Sequence, residues 1–159
     1  MASWKEVVSA VPDLAAKAQG RFDAHGLALI ATVRRDGAPR ISGIEPLFAG
    51  GEVWLGMMPS SVKAIDLLRE PRCALHSATE DKDVKRGDAK LMASAEPVED
   101  QATFERYVQA SGGESQATLD SFHLFRLDIS QISYLIPAGD HLDIEWWTED
   151  EGYKKIERR

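Results

Sequence analysis

Apolar residues along this chain fall in short blocks, and the blocks switch between a helical and a strand period. Over residues 3–19, Val7, Val8, Val11, Leu14, Ala15 and Ala18 recur at helical spacing. Pro12 interrupts them, which predicts a helix kinked or split there. Residues 27–34, LALIATVR, are apolar and rich in β-branched side chains, and the Asp36-Gly37 pair after them is a hairpin signal. Residues 39–48, PRISGIEPLF, read as the returning strand. Ala49–Glu52 is a second turn, and 53–58, VWLGMM, a third strand.

Pro59-Ser60-Ser61 then opens a helix whose apolar face is read as Val62, Ile65 and Leu68, with Leu67 beside it; Glu70-Pro71 ends it. Strands are predicted over 72–78 and 89–98, separated by the charged loop 79–88. A helix over 100–110 places Phe104, Tyr107 and Val108 on one face, and Ser111–Gln116 reads as a loop. Residues 122–136 make one long strand or two short ones. HLDIEWW is a further strand, and Tyr153–Glu157 a short last one. Strands this closely spaced, with few helices between them, argue against a doubly wound parallel sheet. An antiparallel barrel with helices at its ends fits better, because closure removes exposed edges.

The 159 residues suit a single domain spanning 1–159, with an N-terminal helix in 1–20 and a C-terminal strand and tail in 140–159. No apolar run reaches the roughly 18–20 residues a membrane span needs, and the N-terminus does not read as a secretory signal. Cys73 is the only cysteine, so the chain can hold no internal disulfide and fits a reducing cytoplasm. The net charge of -7 opposes nucleic-acid binding, so any anion site must be local.

The one local concentration of anion-binding chemistry is the start of the helix after residue 59. Its first turn offers free backbone N–H groups, Ser60 and Ser61 offer hydroxyls, and Lys63 can fold its ammonium over the same point. Spacing alone favours an N-cap serine and a solvated lysine. Gly43 and Gly56 stand inside strands, where a ligand approaching the backbone, a bulge or a barrel bend would each account for them. Met57 and Met58 must face opposite ways, one toward the core. Glu45 inside an apolar strand faces solvent or a cleft. Of Trp146 and Trp147, one is expected in the core and the other at a cleft or a partner subunit. His25, His76, His123 and His141 show no i, i+4 metal spacing and read as structural or exposed. No nucleophile elbow, Walker loop or dinucleotide fingerprint occurs.

The runs LALIATVRRDGAPRISGIEPLF, VWLGMMPSSVKAIDLLREPRCALHS and GDAKLMASAEPVED resemble the pyridoxamine 5'-phosphate oxidase-like split-barrel superfamily, over residues 25–135. That group includes flavin- and deazaflavin-dependent oxidoreductases. The resemblance implies a mainly β fold: an antiparallel split β-barrel of six to eight strands with short helices at its ends. It implies FMN at a homodimer interface, its phosphate held by Ser61 and Lys63. Gly56-Met57 would run beside the cofactor, and Ile41-Ser42-Gly43 would approach its ring. The flavin would carry the redox chemistry on a small-molecule substrate, with no catalytic side chain and no metal.

The chain departs from the oxidase itself. Of that enzyme's phosphate-holding arginine and lysine on the second strand, only Arg40 has a counterpart; Asp88 stands where the oxidase has glutamine, and the C-terminal substrate signature is missing. A deazaflavin (coenzyme F-420) reductase and a non-catalytic binder of flavin or haem are therefore the competing expectations.

Overall fold

The computed structural model describes residues 1–113 and 118–159. The loop expected at Ser111–Gln116 lies partly outside the described residues. The N-terminal helix is split: α1 spans Trp4–Ala10 and α2 spans Pro12–Asp23. Ser3 and Glu6 form a reciprocal capping box on α1. Pro12 occupies the first turn of α2, where its missing N–H costs nothing. Leu14, Ala15, Ala18 and Phe22 of α2 are buried, and the helix lies against the sheet.

Nine antiparallel strands form one sheet: β1 (Ala28–Val33), β2 (Pro39–Ile44), β3 (Pro46–Ala49), β4 (Glu52–Met57), β5 (Arg72–Ser77), β6 (Asp88–Pro97), β7 (His123–Ala138), β8 (His141–Thr148) and β9 (Gly152–Arg158). Nine exceeds the expected six to eight because the predicted strand 39–48 breaks at Glu45; the predicted last strand forms and pairs with β8 along its length. Pro46 has no N–H to continue the ladder, which favours the break. β2 therefore pairs with β1 and β3 with β4.

The hydrogen-bonded path runs β2-β1-β5-β6-β7-β4-β3. Its two ends are the halves of one bent segment separated by a single residue. The barrel is split at that bend rather than bonded all the way round. β7 is one sixteen-residue strand; its first part pairs with β4 and its last part with β8, which leaves the barrel as a ribbon with β9.

The barrel interior holds Ile30, Leu55, Leu75, Leu91, Phe125, Leu127, Ile129 and Ile132, all essentially without solvent contact. Burying each such side chain contributes about 1.5–3 kcal/mol. A second cluster of Trp54, Val98, Phe104 and Leu124 lies under α4 (Gln101–Ala110). Asp100 caps α4, accepting from the Thr103 N–H. Trp147 joins the main core while Trp146 stays half-buried, as alternation along β8 requires.

Candidate functional site

After β4 the chain turns through Met58–Ser61 into α3, Val62–Arg69. Ser60 sits at φ 62°, left-handed backbone that is uncommon outside glycine. The Ser61 N–H donates to the Met58 carbonyl, closing the turn. Ser61 occupies the N-cap, but its hydroxyl makes no capping bond. The first intrahelical bond goes from the Ile65 N–H to the Ser61 carbonyl, so the amides of Val62, Lys63 and Ala64 have no partner within the helix. Lys63 forms no ion pair among the described residues.

The helix docks the opposite way from the sequence pattern. Ala64, Asp66 and Leu67 are buried, whereas Val62, Ile65 and Leu68 are each about half exposed. A small residue and one leucine bring the helix close to the barrel, and Asp66 is accepted because it is paired. The outward apolar row is left for something else to cover.

Ser61 and Lys63 share a hollow of about 250 Å³ with Gly43, Glu45, Gly56 and Met57. Two strands and a helix start thus converge. β2 supplies Gly43, β4 supplies Gly56 and Met57, and the turn supplies the serine and the lysine. A side chain at Gly43 would meet nothing within 4 Å, and one at Gly56 would make only ordinary contact, at 3.5 Å, with Phe122. Neither strand loses register at its glycine. Packing and bulging therefore do not explain these glycines, and there is open space beside the backbone at Gly43 and only ordinary contact at Gly56. Of the two methionines, Met57 packs in the core and Met58 is exposed. Glu45 faces the hollow and brings a negative charge into it.

The other predicted residues lie elsewhere. Ile41 is 71% exposed on the outer face of β2, and Ser42 is half-buried on the opposite face. Ser60 is exposed in the turn and does not line the hollow. Arg40 does not reach it either. Its Nε donates to Asp66 Oδ2 at 2.7 Å, and the Thr32 hydroxyl donates to the same oxygen at 2.9 Å. Arg69 stands 3.5 Å from Asp66 Oδ1 and donates to the Val33 carbonyl. Burial by itself would raise the Asp66 pKa, but the bonds from Arg40 and Thr32 outweigh it and hold the carboxyl below its ordinary value. Arg40 and Arg69 instead line a separate cleft of about 640 Å³ on the other flank of α3. Sequence spacing gave no hint of that cleft, since its arginines come from a hairpin turn, a strand and a helix end.

The outer face of the sheet adds a third feature. Ile41 pairs with Ala31, Ala31 with Ala74, and Ala74 with Met92, giving a continuous apolar row across four strands. Ile41 and Met92 are exposed, and exposed rows of this kind mark surfaces that bind. Among the histidines, His141 joins Asp143 and Glu157 on one face of the β8–β9 ribbon. Lys155 also bonds Asp143, at 2.9 Å, so the group forms an ion-pair network. Cys73 is buried, and desolvation pushes its thiol up to about 12.

Among the described residues, no helix is long and apolar enough to cross a membrane. Several solved structures share the fold. A Clostridium acetobutylicum protein related to general stress protein 26, of the pyridoxinephosphate oxidase family, matches with TM-score 0.64 at 17% identity, over 86% of this chain and 94% of that one. PhzG from Burkholderia lata, solved with tetrahydrophenazine-1-carboxylic acid, matches with TM-score 0.67 at 12% identity, over 100% and 97%. A heme binding protein from Mycobacterium smegmatis matches with TM-score 0.58 at 13% identity, over 90% and 87%. At these identities the likeness establishes the fold alone. No curated protein matches this chain. The family model for pyridoxamine 5'-phosphate oxidase matches residues 14–136, from the second helix to near the end of β7, and the chain therefore belongs to the pyridoxamine 5'-phosphate oxidase family.

Proposed function

We propose that this chain is a cytoplasmic, single-domain, homodimeric flavin-dependent oxidoreductase that binds FMN through its phosphate. The observation that carries the reading is the convergence of Ser61 and Lys63 with Gly43, Gly56 and Met57 on one hollow.

The residues suit such a ligand. Free amides at the head of α3, the Ser61 hydroxyl and the Lys63 ammonium are three kinds of donor for one phosphoryl group. The open backbone at Gly43 and Gly56 admits a planar ring, with the exposed Met58 as a soft apolar wall. At about 250 Å³ the hollow is smaller than the roughly 300–1,000 Å³ usual for cofactor-sized ligands. A partner subunit seated on the Ile41–Met92 row would supply the missing wall.

Bound FMN supplies hydride or electron transfer to a small molecule. The chain would fix the phosphate through Lys63 and Ser61 and orient the ring against Gly43 and Gly56. Glu45 is the one carboxylate lining the hollow.

The test is the absorbance of the purified protein, followed by titration with FMN and with coenzyme F-420. The reading predicts flavin bands and preferential FMN binding. A colourless protein that takes only the deazaflavin overturns the FMN assignment. Ligand binding with no turnover under any reductant assigns the chain to non-catalytic binding of flavin or haem.

A further inference from the structure

The junction of α1 and α2 faces the β8–β9 ribbon across a cleft of about 390 Å³, within the usual range for small-molecule sites. It shares no lining residue with the Ser61–Lys63 hollow. Glu145 of β8 lines it and is only 6% exposed. A carboxylate taken out of water needs partners. Asp66, similarly buried, has Arg40 and Thr32 on one oxygen and Arg69 near the other. Glu145 receives one close hydrogen bond, from Lys17 Nζ to its Oε1 at 2.7 Å. No such bond reaches its Oε2 among the described residues. A buried acceptor is thus left unused at the wall of a cavity.

The other side of the cleft offers donors. Lys17 spends one of its three N–H groups on Glu145 and makes no other hydrogen bond among the described residues. The first bond of α2 runs from the Ala15 N–H to the Val11 carbonyl, and no side chain caps the helix start. The amides of Asp13 and Leu14 therefore have no partner within the helix, and both residues line the cleft. Asp13 is exposed and adds a negative charge. Two carboxylates against one ammonium give the lining a net negative charge, which disfavours a simple anion. A fitting ligand brings a positive group for Glu145 and a negative one for Lys17 and the amides. Tyr153, half exposed, adds an aromatic wall. Burial and the Glu145 charge beside it push its phenol up, so it stays a neutral hydroxyl.

We infer that this cleft binds an α-amino acid with an apolar side chain, its ammonium on Glu145 Oε2 and its carboxylate on Lys17 and the free amides of α2. The ligand's side chain lies between the Ala10–Pro12 junction and the Tyr153 ring. The buried Lys17–Glu145 pair reads the two charges of the ligand side by side, each member using the hydrogen-bonding capacity that the fold leaves free.

The experiment is calorimetric titration of the full chain, with and without saturating FMN. The probes are L-phenylalanine, phenethylamine, which lacks the carboxylate, and phenylpropionate, which lacks the ammonium. L-phenylalanine is expected to bind at least tenfold more tightly than either analogue, and equally well with FMN present. Glu145→Gln keeps the shape of the side chain and removes its charge; it should weaken binding at least tenfold, with the melting temperature showing that the variant folds. Tyr153→Ala alters a half-exposed position on β9 without touching the Lys17–Glu145 pair, and should weaken binding at least threefold. The inference is overturned if L-phenylalanine does not bind, if either analogue matches it, if FMN displaces it, or if folded Glu145→Gln binds as the parent does. Should Glu145→Gln fail to fold, unchanged affinity in Tyr153→Ala overturns it.

Discussion

Arg40 Nε and Asp66 Oδ2 lie 2.7 Å apart, joining β2 to the buried side of α3. The pair engages an arginine that the sequence also offers for phosphate. It also fixes the helix whose first turn forms the proposed cofactor site. Breaking a hydrogen bond to a charged, largely buried group costs about 1.5–3 kcal/mol. Asp66→Asn is expected to lower stability by about that amount in urea unfolding at pH 7. Because the folded carboxyl titrates below its ordinary value of 3.8, its contribution is full above that value and fades as pH falls through the lower folded value. The variant and the parent should therefore converge in stability at acid pH. A difference that stays constant down to pH 2.5 would contradict the pairing.

Gly87 and Gly139 separate backbone strain from crowding. Both have left-handed φ, 76° and 69°. An added Cβ at Gly87 would lie 2.4 Å from the Tyr134 ring and 2.7 Å from the Leu135 carbonyl, whereas at Gly139 it would meet nothing within 4 Å. Gly139→Ala should cost about 1 kcal/mol, the strain alone. Gly87→Ala should cost clearly more, because a backbone oxygen cannot step aside. Equal melting temperatures for the two variants would refute the crowding.

Cys73 should be inert in the folded protein. With its thiol pushed up to about 12, almost none is thiolate at pH 8. Iodoacetamide labelling is expected to be at least about a hundredfold slower than after denaturation in urea. Comparable rates in the two states would show the thiol to be accessible.

The Ile41–Ala31–Ala74–Met92 row is the surface assigned to the partner copy. Placing a charge at each end of the row desolvates those charges on association and so opposes it. Ile41→Glu with Met92→Glu should turn a dimer into a monomer in sedimentation experiments. FMN affinity should fall at the same time. A double variant that remains dimeric would place the interface elsewhere.

Much of the fold was legible from local chemistry. Asp36-Gly37 marked the first hairpin, and Pro12 marked the break between α1 and α2. Other features depend on what a residue meets in three dimensions. The 3.6-residue pattern of Val62, Ile65 and Leu68 correctly signalled a helix, but it did not reveal that the barrel would take the Ala64–Leu67 side. That choice rests on close approach by a small residue and on partners for Asp66, Arg40 and Thr32, that lie 26 and 34 residues upstream. The bend at Glu45-Pro46 was likewise present in the sequence as a proline, yet only pairing with two different strands makes it the seam of the barrel. Gly43, Gly56, Ser61 and Lys63 were picked out together from sequence because family resemblance joined them. The arginine cleft was missed because no motif joins its parts.

The central claim is that Lys63 and the head of α3 hold a phosphoryl group. Riboflavin has the ring of FMN without the phosphate, so the ratio of the two affinities isolates that contact. For the parent protein, fluorescence titration should show FMN binding at least tenfold more tightly than riboflavin. Lys63→Ala should erase most of that preference and leave riboflavin binding nearly unchanged. An FMN preference that survives intact in folded Lys63→Ala would mean the phosphate is held somewhere else.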